Sequence, residues 1–365
     1  MSTPPPYCHA PLEFTNTRTQ LATNNENTIM SSVTSPQRPD NDGARPHLVI
    51  SVHDAGILRL VYLPDGRRVV IGFLDGTMKV WSVENREQEG TSMKHATGIL
   101  LDLAVTRDGT RIISSGHDGK VKVWDVETHK LVKEWTHPGD WPRIAISPDD
   151  RLVAVGDQAV AIYTVEGRQV NHSIKLGGYR VLSLCFSPDG NKLACGTYYG
   201  IRVYDVDTAT LILGPLKGHL DLVEDVLWSR DGSRLFSGST DKTIRCWNSD
   251  TGEQIGLPWT GHTEAIVSLS LSPNGSVLAS ASWDKTVRFW DATTGNPIGH
   301  LQHDDEVRIV RFSPSGESMV SASRWGAKIY LWGVPRLNSV ENQARTLIRY
   351  SIYTYRTLHP TDRPC

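Results

Sequence analysis

The stretch SASWDKTVRFWD, residues 280–291, lies downstream of His262 and contains Ser280 and Asp284. Histidine, serine and aspartate are the residue types with which a serine hydrolase activates a hydroxyl nucleophile. An active site is built once, so the number of copies of this arrangement decides what it is for. His262, Ser280, Asp284 and Trp290 recur as His219, Ser237, Asp241 and Trp247, and again as His95, Ser114, Asp118 and Trp124. The His-to-Asp spacing is 22, 22 and 23, and Asp to Trp is 6 each time. A tie made in every repeat is structural. The indole N–H of a buried Trp needs a partner, and leaving it without one costs about 1 to 3 kcal/mol.

The same period runs through the rest of the chain. An aromatic closes a strand-like run at Trp81, Trp124, Tyr163, Tyr204, Trp247, Trp290 and Trp332, with successive gaps of 43, 39, 41, 43, 43 and 42 residues. LPDG (63–66), TRDG (106–109), SPDD (147–150), SPDG (187–190), SRDG (229–232), SPNG (272–275) and SPSG (313–316) keep that spacing. Each reads as a tight turn between two strands. The runs AIVSLSLSP and SVLASAS put small and apolar residues on both strand faces, as a sheet covered on both sides requires. Seven small sheets arranged radially meet that requirement without long exposed edges. The fold class is therefore all-β, a seven-bladed β-propeller. The run HLVISV (47–52) precedes the first full unit, and the seventh unit lacks an outer strand of its own. Closure is expected by this amino-terminal strand completing the last blade.

The period, the His before each first strand, the turn Asp and the closing VWD (123–125) and FWD (289–291) resemble the WD-repeat β-propeller family. The resemblance covers residues 46–334 and implies a hydrogen-bonded tetrad of Asp, His, Ser and Trp bracing each blade. Some units depart from it. Blade 1 has Ile71 at the hydroxyl slot, although His53, Asp75 and Trp81 are present. Blade 3 has Val153 and Tyr163 beside His137 and Asp157. Blade 4, with Gly178, Tyr179, Ala194, Tyr198 and Tyr204, is expected to rely on packing alone and to be the weakest. Blade 7 keeps His303, Ser321 and Trp332, but SASRWGAKIYLW is one residue longer than its counterpart and loses the Asp.

Composition narrows the partners. The 365 residues are 39% hydrophobic and 21% charged, with a formal charge of −2, so no net positive field favours nucleic acid or an anionic membrane. Five cysteines without C-x-x-C spacing fit free thiols in a reducing compartment. The amino terminus has no signal-peptide pattern and no run is long enough to span a bilayer. An intracellular chain, cytoplasmic or nuclear, is expected. Residues 1–45, rich in Pro, Thr, Ser and Asn, read as a disordered tail. Residues 335–365, with five Arg against Glu341 and Asp362, read as a carboxyl-terminal tail with a short helix possible near 339–350.

The resemblance implies partner binding on the face that carries the loops before the first strand and between the second and third. Counting from the landmarks places Leu58, Leu74, Leu100, Val267, Trp283, Arg308 and Trp325 there, an apolar crescent edged by Arg308 across blades 6, 7, 1 and 2. Trp and Arg are the residues enriched at binding hot spots. No catalytic or metal-binding cluster, no cofactor motif and no phosphate loop is expected, since G-x-x-x-x-G-K-[ST] does not occur. The function that follows is a non-catalytic scaffold or adaptor, a monomeric ring within larger complexes, binding protein or peptide partners and neither nucleic acid nor membrane. The alternative is a substrate-receptor subunit of a ubiquitin ligase or of another multi-protein assembly, disfavoured by WDVE, WDAT and WDKT in place of W-D-x-R. A propeller enzyme ranks below both.

Overall fold

The SPDG-type turns set the hand of every hairpin. Gly66, Gly109, Gly190, Gly232, Gly275 and Gly316 all sit at φ between 70° and 77°, a region costly for a residue with a Cβ. Asp150 takes the same position in blade 3 at φ 61°, an angle that Asp tolerates better than most residues. In four turns the first Ser donates its Oγ–H to the third residue, Asp or Asn, at 2.5–2.7 Å.

A computed structural model describes residues 46–334, except 47, 52–54, 96–97, 171–172, 199 and 326. The expected tails at 1–45 and 335–365, and His53, lie outside the described residues. Every regular element described is a strand, grouped into seven antiparallel sheets. Blade 1 runs outward from Ile57–Tyr62 through Arg68–Phe73 and Thr77–Ser82 to Glu87–Lys94, and the chain then repeats the pattern. The last sheet is different. Val307–Phe312, Ser318–Ser323 and Lys328–Gly333 are followed on the outside by Leu48–Ser51. Leu48 pairs with Leu331, Val49 with Tyr330 and Ile50 with Ile329. The amino-terminal strand thus closes the ring, as expected from HLVISV.

Two blades are abbreviated at their outer edge. In blade 3 the outer strand is only Ile174–Lys175. Blade 5 has three strands, and isolated bridges from Trp247 to Gln254 and from Ile244 to Trp259 stand in for the fourth. Gly252, Gly256 and Pro258 in that segment break the extended run.

The core lies between the blades. Seven apolar clusters occupy the seven interfaces, from blades 1 and 2 around to blades 7 and 1. The strand Val277–Ser282 is buried at all six positions, because a neighbouring sheet covers each of its faces. The cluster joining blades 7 and 1 includes Ile57, Phe73, Val320 and Ile329, with Ile50 packed against it. Ring closure is therefore both hydrogen-bonded and hydrophobic.

Deleting residues 1–51 strips Leu48–Ser51 from Lys328–Gly333 and exposes its edge. Relative to deletion of residues 1–45, differential scanning calorimetry should show Tm lowered by about 5 °C or more, with association at high concentration. Equal melting temperatures would contradict closure by this strand.

Candidate functional site

Two sets of polar side chains qualify as candidate sites, and their geometry separates them. The first is the repeated His–Ser–Asp–Trp group. In blade 6 the Trp290 indole donates to Ser280 Oγ at 2.9 Å, Ser280 lies 2.7 Å from His262 Nε2, and His262 Nδ1 lies 2.7 Å from Asp284. Blade 5 repeats this through Trp247, Ser237, His219 and Asp241 at 2.9, 2.7 and 2.8 Å. In blade 2 the imidazole of His95 is turned over. Nδ1 faces Ser114 at 2.7 Å and Nε2 faces Asp118 at 3.3 Å, while Trp124 again donates to Ser114 at 2.9 Å.

One proton arrangement satisfies all four groups of blade 6. The indole donates to the hydroxyl, the hydroxyl to a neutral imidazole, and the imidazole N–H to the carboxylate. Burial depresses the His262 pKa and thereby favours that neutral form, although Asp284 pulls the other way. Burial also works to raise the Asp241 and Asp284 carboxyls, but hydrogen bonds from the His and from Thr243 or Thr286 outweigh it and hold both well below the usual range. Ser114, Ser237 and Ser280 are each 0% exposed. Their oxygens already accept an indole N–H, so no substrate carbonyl meets them.

The departing blades show what a missing member costs. With Ile71 at the hydroxyl slot, the Trp81 indole N–H is buried without a partner. In blade 3 the Tyr163 hydroxyl itself reaches His137 Nδ1 at 3.2 Å, and His137 Nε2 is left unpaired. Asp157 there turns to other work, accepting from the Asp140 and Trp141 amides and pairing with Arg180 at 3.0 Å. Blade 7 keeps Trp332 to Ser321 at 2.8 Å and Ser321 to His303 at 2.7 Å, but His303 Nδ1 is orphaned for want of the Asp. Blade 4 stacks Arg202 on Tyr179 at 4.9 Å instead.

The second set surrounds the axis. In six blades the innermost strand carries a one-residue irregularity at its start, between Ile57 and Arg59, Leu100 and Asp102, Val181 and Ser183, Val223 and Asp225, Ile266 and Ser268, and Val307 and Ile309. Such bulges re-aim a side chain. The bypassed residues are Leu58, Leu101, Leu182, Glu224, Val267 and Arg308. The last four line an axial cavity of about 320 Å³ to which all seven blades contribute. Just beyond each bulge, polar side chains bind blade to blade. Arg59 meets Asp102 at 2.7 Å, Asp102 accepts from the Ile144 amide, and Asp225 accepts from Ser183 and the Leu269 amide. Arg311 donates to Ser268 at 2.7 Å.

Of the sequence-nominated contact residues, the structure relocates two. Leu100 is 0% exposed, in the cluster between blades 1 and 2, because the bulge there bypasses Leu101. The position expected for Leu100 falls instead to Leu101, which is itself 4% exposed, so the expected crescent does not extend to blade 2. In blade 7 the backbone N–H that reaches back to Glu306 belongs to Arg324, as that of Trp283 reaches Ala265, that of Leu74 reaches Gly56 and that of Thr240 reaches Leu222. Arg324, not Trp325, thus occupies the register position of Trp283. The extra loop residue displaces Trp325 outward, where it is 52% exposed. Leu58, Leu74, Val267, Trp283 and Arg308 are half-buried on the rim.

Arg324, unnoticed in the sequence, organises this rim. Its guanidinium carbon lies 4.2 Å from the Trp283 ring and 4.8 Å from the Trp325 ring, and Nη1 donates to Glu306 at 2.8 Å. A second aromatic group gathers on blades 2 to 4, where His117 meets Trp141 edge-on at 5.1 Å and Arg180 lies 5.7 Å from the same ring. Among the described residues no group of three or more His, Cys, Asp or Glu could hold a metal ion, and no helix is long and apolar enough to cross a membrane.

Ser280→Ala should orphan both the Trp290 indole and His262 Nε2, costing about 2 to 4 kcal/mol in urea unfolding. Ile71→Val, in a blade that lacks the hydroxyl, should cost no more than about 1.5 kcal/mol. The buried histidines also set an acid limit. Burial lowers His137 and His303 to about 4, so the unfolded chain, with its histidines near 6.5, binds more protons between those values. Stability should be full above about pH 6.5 and fall as pH drops toward 4. Urea midpoints at pH 7.5 and 5 test this, and His303→Gln should flatten the slope.

The comparisons with known proteins agree with this architecture. The chain is 38% identical over 121 residues to WD repeat-containing protein SL1-17 of Schistosoma mansoni, a match covering 32% of this chain and 40% of that protein. It is 45% identical over 64 residues to the intraflagellar transport protein 122 homolog of Mus musculus, covering 18% of this chain and 5% of that one. To small ribosomal subunit protein RACK1y of Oryza sativa subsp. japonica it is 30% identical over 117 residues, 30% of this chain and 34% of the relative. Each match spans less than half of the relative. The β-propeller domain of Cps50 (Swd1) from Myceliophteria thermophila superposes with a TM-score of 0.70 at 14% identity, over 79% of this chain and 100% of that domain, a likeness of fold. The profile described as "WD domain, G-beta repeat" matches residues 45–82, 87–125, 170–205, 211–248, 253–291 and 295–333, passing over only the blade with Val153 and Tyr163. With more than half of its length in six such matches and seven blades around one axis, the chain belongs to the WD-repeat β-propeller family.

Proposed function

We propose that the chain is a non-catalytic scaffold that seats a protein or peptide partner on the face where the axial cavity opens, with Trp283, Arg324, Trp325 and Arg308 at the centre of contact. The observation that carries this is Trp325. A large ring, 52% exposed and held by stacking on Arg324, presents apolar area on a frame whose conformation is already determined. Preorganised aromatic and Arg side chains lose little entropy on binding, which is why they dominate hot spots. Leu58, Leu74 and Val267 supply the half-buried apolar surround.

Two features favour a scaffold over an enzyme. Among the described residues the three His–Ser–Asp groups are closed to solvent at their hydroxyls, and each serves an indole rather than a substrate. Among the relatives, one is named as a small ribosomal subunit protein and another for intraflagellar transport. The first name places that relative in a ribosomal subunit, which supports a partner-holding role inside a larger assembly.

Trp325→Ala, alone and with Trp283→Ala, should lower recovery of bound proteins at least tenfold in quantitative affinity purification, the loss of one hot spot. The single variant should melt within about 1 °C of wild type, because an exposed ring contributes little to folding. Partner recovery unchanged in the double variant would remove this face from the function.

A further inference from the structure

The axial cavity opens among more cations than its carboxylates can pair. Its lining holds Arg59, Arg143, Arg308 and Arg311 against Asp102, Glu224 and Asp225. Three of the four arginines are engaged. Arg59 pairs with Asp102, Arg143 donates to the Leu101 carbonyl at 3.0 Å, and Arg311 donates to Ser268 and to the Leu269 and Val310 carbonyls. The carboxylates Asp102 and Asp225 are likewise filled by the donors already described.

Arg308 stands apart. Its guanidinium makes no hydrogen bond or ion pair with the described residues, and its Nε is buried without a partner. Glu224, the acid that pulls on it, forms no ion pair with it. Burial, together with the nearby Arg59 and Arg324 cations, lowers its pKa to about 10 against the pull of Glu224. Burial equally raises the Glu224 pKa. A second donor in the same lining is also unsatisfied, since the Trp283 indole N–H is buried with nothing to accept it. Two orphan donors, one of them an uncompensated cation, flank one cavity. Both lack an acceptor, and Arg308 lacks a counter-charge. A single group supplies both, namely an oxyanion, and a guanidinium fork matches the oxygens of a carboxylate or a phosphate.

We infer that the channel mouth is a seat for an anionic group, a carboxylate or phosphate carried by the protein partner, with Arg308 as its cation and the Trp283 indole as a neighbouring donor. This rests on the scaffold reading for the identity of the carrier, but the seat itself can be tested without a partner. Trp325 and Arg324 hold the flanking segment while the anion enters the axis. A neutral or basic peptide would leave the Arg59–Arg308–Arg324 repulsion in place, which disfavours it.

The experiment has two arms on the full chain. Inorganic phosphate, titrated at constant ionic strength, should shift the Trp283 indole N–H signal saturably, and Arg308→Gln should weaken the binding at least tenfold. Arg308→Lys keeps the charge and should retain part of the affinity, guarding against a folding defect in the Gln variant. Replacing Arg151, an exposed residue of blade 3, should change nothing. In the second arm, a degenerate peptide library with Glu, phosphoserine, Ala or Lys at the fixed position is passed over wild type and Arg308→Glu. Wild type should enrich the Glu or phosphoserine peptides, the ratio of the two showing which oxyanion fits, and Arg308→Glu should shift enrichment to Lys. A phosphate shift that fails to saturate, or that persists in Arg308→Gln, overturns the seat. Enrichment of Ala or Lys peptides by wild type also overturns it and leaves the scaffold reading standing. Saturable phosphate binding with no peptide enriched supports the seat and counts against the peptide-scaffold reading.

Discussion

Each blade is a sheet with two apolar faces, and neither face is tolerable in water unless another sheet covers it. That requirement organises the molecule. A stack of such sheets would leave its two end faces bare, whereas a ring has no ends, provided its first and last members meet. Here they meet through Ile50, Ile57, Val320 and Ile329 and through the pairing of Leu48–Ser51 with Lys328–Gly333. The hydrophobic effect scales with area removed from water, so every interface contributes, and the seventh exists only because the others bring the chain ends together.

The polar groups inside this apolar frame answer a narrower need. A Trp large enough to fill the gap between blades brings an N–H with it, and Ser114, Ser237, Ser280 and Ser321 each take that N–H in at 2.8–2.9 Å. Where the acceptor is lost, as beside Ile71, the N–H stays orphaned and packing alone holds the blade. The same arithmetic distinguishes the axis from the blades. The His–Ser–Asp–Trp ties of the blades are neutral or closely paired, whereas the cavity keeps Arg308 charged and unpaired. Buried donors go unmet elsewhere too, as at the Trp81 indole, but two that line one opening mark a place where a partner's acceptor would complete them.

Rigidity links the frame to that opening. Bulges at the start of four inner strands put Leu182, Glu224, Val267 and Arg308 into the cavity lining, and the contacts from Arg59 to Asp102 and from Asp225 to Ser183 lock neighbouring inner strands. A surface so positioned gives up little entropy on binding.

The sequence by itself determined the number of blades, their turns and the His–Ser–Asp–Trp ties. Each is a local pattern repeated at a period of about forty residues, and Gly at positive φ, Ser before Asp, and Trp after Asp act within a few residues of one another or along one hairpin. It also marked Trp283, Arg308 and Trp325. What it could not settle was register at the rim. Whether Leu100 or Leu101 is bypassed depends on a bulge, which here puts Leu100 into the cluster between blades 1 and 2. The displacement of Trp325 by Arg324 follows from a single extra residue in the loop. The polar column of Arg59, Asp102, Ser183, Asp225 and Ser268 was visible at the repeat spacing within otherwise apolar strands, and that was the available signal for the axis. Only the closed ring brought those side chains to one cavity, because residues about 42 positions apart become neighbours there through the packing of seven separate sheets, and the tertiary structure alone left Arg308 without a partner among them.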